Sequence, residues 1–150
     1  DWLDEIGVDW GGRRPPGKGP VAYLERLGCL GQGTLAVHGC HLTAAESQRL
    51  AATRTPLCLC LRSNLHIGGI VPDVIRFIED GVRLCLGTDS LASTEDTDVL
   101  AEIPALHAHF PQVPVETWLS MATEGGADIL GLSHLGKIQI GCSPGLLLLS

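Results

Sequence analysis

The chain has 150 residues, 45% of them apolar and 18% charged, with seventeen Asp+Glu against ten Lys+Arg and a net charge of −7. An acidic balance of this size repels phosphate backbones, so nucleic acid is not an expected partner. No apolar run approaches the ~18 residues that cross a bilayer, so a membrane is not expected either.

The charged fraction lies below the globular norm of about 25%, which points to extensive burial and to a sheet covered on both faces. The first residue is Asp1 and the single methionine is Met121, so the chain is expected to be a fragment of a longer protein. Six cysteines, at 29, 40, 58, 60, 85 and 142, are expected to be reduced and cytoplasmic, because Cys58, Cys60 and Cys85 lie in apolar runs where free cysteine behaves as a small hydrophobe.

In chain order, residues 1–19 read as a short helical piece followed by the Gly/Pro-rich loop Gly11–Gly19. Pro20 opens a helix with Val21, Leu24 and Leu27 on one face, and Gly28 stops it. Thr34–His38 reads as a buried strand. Thr43-Ala44-Ala45-Glu46 matches a capping box, starting a helix that runs to about Thr53. Leu57–Leu61 is a second strand, Pro72–Asp80 a helix closed by Gly81, and Val82–Leu86 a third strand. A helix over Thr97–His109 follows. Val115–Leu130 reads as one or two helices broken near Gly125-Gly126. Lys137–Ile140 and Leu146–Leu149 read as a small hairpin. Three successive strand–helix units imply parallel strands joined by right-handed crossovers. Pattern alone leaves an open doubly wound sheet and part of a closed barrel both in play.

In such folds reactive groups gather at the C-terminal strand ends. These ends are His38-Gly39-Cys40-His41, Arg62-Ser63-Asn64-Leu65-His66 and Thr88-Asp89-Ser90. Taken in order, Leu35–Leu42, Cys60–Leu65 and Gly81–Ser90 resemble the last three strand ends of the metal-dependent amidohydrolase superfamily. The similarity is to its cytosine-deaminase-like, chlorohydrolase and adenosine-type deaminase branch, including aminodeoxyfutalosine deaminase. Met121–Ala127 and Leu135–Gly141 resemble that group's closing helix and its return to a small β-domain.

The resemblance implies an α/β fold comprising the C-terminal part of a (β/α)₈ TIM barrel. Strands six to eight and their helices would span residues 1–130, and a hairpin from the small β-sandwich domain would lie in residues 131–150. It implies a hydrolase of C–N bonds, deaminating a nucleobase-like or nucleoside-like small molecule by attack of hydroxide held on a divalent metal, zinc or iron. Asp89 would ligate the metal and accept a proton from the attacking water, and His38 would hydrogen-bond the group under attack or the hydroxide. Arg62, Ser63, Asn64 and Ser90 would line the substrate pocket, with Arg62 meeting a substrate anion.

The pattern also departs from the family. No His-x-His follows a first strand and no His-x-x-Glu a fifth. His107-Ala108-His109 falls on a helix, where i,i+2 side chains diverge. Leu61 stands where the family usually has Pro, and Gly141–Gly145 replaces a Gly-Lys-x-Ala-Asp. The missing ligands are expected upstream of Asp1, and the chain is expected to pair with the rest of its barrel or with a second copy. Two other readings stand beside this one. The chain could be a non-catalytic assembly fragment with open strand edges, or a zinc-binding module built from His38, Cys40, His41, Cys58 and Cys60.

Overall fold

The computed structural model describes residues 5–7, 17 and 19–148. The helical piece and most of the loop expected over residues 1–19 lie outside them. The elements in order are α1 (Pro20–Arg26), β1 (Ala36–Val37), α2 (Ala44–Thr53), β2 (Leu57–Leu59), α3 (Leu61–Gly68), α4 (Val74–Glu79) and β3 (Leu84–Leu86). A 3₁₀ turn at Val99–Ala101 then leads into α5 (Glu102–His109), and α6 (Val115–Ser120), a π turn (Met121–Gly125) and α7 (Gly126–Ile129) follow. The strands form one parallel sheet in the order β1-β2-β3, with Val37 opposite Cys58 and Cys58 opposite Cys85. All three carboxyl ends therefore emerge on one side.

The two-residue period of the strands divides the interior. Leu57, Leu59, Leu84 and Leu86 join a core with Leu50, Leu61, Val74, Phe77, Leu106 and Trp118. Cys58, Cys60 and Cys85 occupy the opposite face, packed against Ile129. Every residue of β2 and β3 is buried, as continuous apolar strands require. β1 is shorter than the expected Thr34–His38, and Val37 is 46% exposed, because this edge strand has a neighbour on one side only.

The capping box forms as expected. Thr43 Oγ1 accepts the Glu46 amide and the Glu46 carboxylate accepts the Thr43 amide. Thr43→Ala removes one half of it, and a loss of about 1 kcal/mol is expected in chemical unfolding. α4 is shorter than Pro72–Asp80 because Asp73 caps it, its carboxylate accepting from the Arg76 amide. α5 begins at Glu102, five residues later than expected. The 3₁₀ turn capped by Asp98 precedes it, and Pro104 sits in its first turn, where no amide is needed.

The break expected near Gly125-Gly126 is a π turn instead, and the helix continues to Ile129. A Cβ on Gly125 would lie 3.2 Å from the Leu84 carbonyl oxygen, so the absence of a side chain lets this helix lie directly on β3.

α3 was not anticipated. Its N-cap, Cys60, makes no side-chain capping bond, so the local sequence carries no start signal. The hairpin is corrected too: among the described residues, 137–148 contain no strand. Ile140 and Leu148 are almost fully exposed, and two short strands with no sheet beneath them gain too little burial to persist. Leu149 lies outside the described residues.

Candidate active site

The three strand ends meet in an open cleft of about 590 Å³. Val37, Leu42, Ile67 and Ile70 give it apolar walls, and His38, His41, Cys40, Ser63, Asn64 and Asp89 its polar groups. Asp89 follows β3, His38 follows β1, and Ser63 and Asn64 lie in the first turn of α3 after β2. The parallel register thus brings together His38 and Asp89, 51 positions apart in sequence.

Asp89 is held from three sides. Its Oδ2 accepts from Ser63 Oγ at 2.9 Å and from Ser93 Oγ at 3.1 Å, and its Oδ1 from the Ser90 amide at 2.8 Å. The Ser63 hydroxyl, then that of Ser93, holds the carboxyl below its ordinary range, with His38 adding a weaker pull, so Asp89 is ionised at neutral pH. His38 Nε2 stands 3.8 Å from Asp89 Oδ2. On the other side of the ring, Nδ1 donates to Asn64 Oδ1 at 2.8 Å, which leaves Nε2 toward the cleft.

His38 and Asp89 both adopt left-handed backbone conformations, with φ of 71° and 66°. Among the described residues Arg54, at the end of α2, is the only other non-glycine residue that does. Strain of this kind persists where surrounding contacts enforce it, and it concentrates at functional sites.

The other expected site residues are placed differently. Ser90 contributes its amide to Asp89, and its Oγ accepts from the Ala92 amide. Arg62 does not line the cleft. Its guanidinium makes a two-pronged bond to the Asp96 carboxylate, at 2.8 and 3.0 Å, so it is already engaged within the chain. That pairing, first of all, lowers the Asp96 carboxyl to about 2. The native-state preference for charged Asp96 is therefore present above its ordinary value of 3.8 and is lost as pH falls through about 2. A carboxyl-carbon chemical-shift titration should give a midpoint near 2, and Arg62→Ala should return it toward 3.8.

Sequence reasoning missed Ser93, Asp96 and Glu102. Ser93 had one signal, its position four residues after Asp89; the other two are recognisable only from the tertiary contacts of α3.

The donor chemistry at Asp89 suits a divalent metal, since an ionised carboxylate beside an imidazole nitrogen offers ligand atoms that zinc accepts. The number of donors does not suffice. Among the described residues no group of three or more His, Cys, Asp or Glu side chains is placed to hold a metal ion. This also tells against the zinc module of His38, Cys40, His41, Cys58 and Cys60. Cys58 and Cys60 do share a face, but it is the buried face beneath the sheet. The Cys60 thiol pulls the Cys58 thiol down, but the Cys85 thiol and burial outweigh it and push Cys58 up to about 12.

The model of the amidohydrolase family matches residues 7–150. The chain belongs to the amidohydrolase family. A 5-methylthioadenosine/S-adenosylhomocysteine deaminase of Bacillus cytotoxicus is 33% identical over 132 residues, covering 83% of this chain and 30% of that protein. The crystal structure of an adenosine deaminase from Xanthomonas campestris with bound zinc is 30% identical with a TM-score of 0.72, covering 93% of this chain and 32% of that one. Atrazine chlorohydrolase from Arthrobacter aurescens complexed with zinc is 25% identical with a TM-score of 0.71, covering 81% and 29%. This amidohydrolase chain thus spans about a third of the length of the relatives it matches.

Proposed function

We propose that this amidohydrolase chain supplies one side of the active site of a zinc-dependent deaminase acting on adenosine-type nucleosides. In this reading β1, β2 and β3 are barrel strands six, seven and eight, and residues 131–150 lead toward the small β-domain. The observation that carries it is the convergence of ionised Asp89 and His38 at two parallel strand ends, 3.8 Å apart across an open cleft.

Asp89 is the residue of this chain that would hold the metal, the remaining ligands coming from outside the described residues. A bound divalent metal supplies hydroxide at neutral pH by lowering the pKa of its water toward ~7. Asp89, ionised at neutral pH, is available to accept the proton that water loses. His38 presents an unprotonated Nε2 beside Asp89, where it can take up the proton gained from water and pass it to the departing amine. Water adds, the C–N bond breaks, and the amine departs as ammonia with the proton returned to it. Ser63 orients Asp89, Asn64 orients His38, and the apolar walls accept the flat face of a base.

An ammonia-release assay of the full-length, zinc-loaded protein against adenosine, 5′-alkylthioadenosines, cytosine and chloro-s-triazines tests this. Turnover concentrated on the adenosine-type nucleosides is expected; turnover confined to a triazine or pyrimidine would overturn the substrate class.

A further inference from the structure

Glu102 is fully buried at the start of α5, yet the reading above gives it no task. Its Oε2 accepts the Arg62 backbone amide at 3.1 Å, while Oε1 is buried without a hydrogen-bond partner. A buried carboxylate with an unpaired oxygen is costly, and an apolar residue of similar size would fill a core position at least as well. The amino end of α3, where Glu102 points, has no cap of its own because Cys60 makes no side-chain bond there. The same turn is tied a second time to the segment before α5 by the pair between Arg62 and Asp96. That turn also carries Ser63 and Asn64, both buried, which hold Asp89 and His38.

We propose that Glu102 is a positioning residue: it caps α3 from a neighbouring helix and thereby fixes Ser63 and Asn64, and through them the side chains of Asp89 and His38. Free amides at a helix start favour an acceptor, and a charged one most. Here the acceptor arrives from 40 residues away in sequence, so the first turn of α3 is set by tertiary structure. That His38 and Asp89 act on a substrate rests on the proposed function; where their side chains stand does not.

The test is nuclear magnetic resonance on the intact protein, with no substrate or activity involved. In the wild type, a through-hydrogen-bond coupling between the Arg62 amide nitrogen and the Glu102 carboxyl carbon is expected, with the His38 ring held as the Nδ1–H tautomer. Glu102→Gln retains a carbonyl acceptor and is expected to leave the His38 ring nitrogens unchanged. Glu102→Leu removes the acceptor, and the Nδ1–H fraction is expected to fall from nearly all to about half as Asn64 shifts. A folded Glu102→Leu protein with an unaltered His38 ring would overturn the proposal. So would a folded Glu102→Gln protein whose His38 ring is altered. If the leucine variant does not fold, the wild-type coupling decides, and its absence overturns the proposal.

Discussion

Asp89→Asn should lower deamination by the full-length protein by about 10²–10⁴-fold, the range associated with losing a positioned proton acceptor. The substitution is nearly isosteric. Asparagine tolerates the left-handed backbone that Asp89 adopts at φ 66°. Its carbonyl oxygen can still accept from Ser63 and Ser93, which lie 2.9 and 3.1 Å from Oδ2, while its amide nitrogen, at the Oδ1 position, no longer accepts from the Ser90 amide. What disappears is the charge, and with it both proton acceptance and the preferred form of a metal ligand. Loss of the Ser90 contact should cost about 1 kcal/mol, so the unfolding midpoint serves as the control for folding. Turnover within threefold of wild type in a correctly folded Asp89→Asn protein would remove Asp89 from the chemistry.

Trp118→Ala should destabilise the chain by about 3–5 kcal/mol, the range for truncating a large aromatic in a close-packed interior. Trp118 is fully buried on α6 and lies against Phe110, with ring centroids 6.3 Å apart. It belongs to the same core as the leucines of β2 and β3, so the loss is felt beneath the strands that carry the site. The indole Nε1 has no hydrogen-bond partner in this interior. Trp118→Phe therefore removes an unsatisfied donor along with some volume, and should cost clearly less than the alanine variant. Urea unfolding followed by circular dichroism measures both; equal losses for the two variants would contradict the packing account.

The strand–helix order was legible in the sequence where local signals and tertiary demands agree. The capping box at Thr43 and Glu46 is one such place, and the apolar triplets Leu57–Leu59 and Leu84–Leu86 are another. α3 was not legible, because its amino end is capped by a carboxylate on another helix. Arg62, Ser63 and Asn64 look like a polar strand end, and their helical placement follows from that remote contact. The tail erred in the other direction. Lys137–Ile140 has the alternation of a strand, but alternation yields a strand only where a neighbour completes the hydrogen bonds, and Ile138 and Ile140 are exposed.

At the site, Asp89 and His38 were legible as strand-end residues, and the sheet register supplied their proximity. Arg62 looked like a free cation because its partner, Asp96, is 34 residues distant. The pairing assigns it to holding α3 in place.

The most direct measurement is a crystal structure of the full-length, zinc-loaded protein, with the metal located by its anomalous signal. Zinc is expected in the cleft, bonded to an Asp89 carboxylate oxygen at about 2.0–2.2 Å, with the remaining ligands from outside this chain's described residues. Zinc bound elsewhere, with the Asp89 carboxylate still facing Ser63 and Ser93 and uncoordinated, would contradict this expectation.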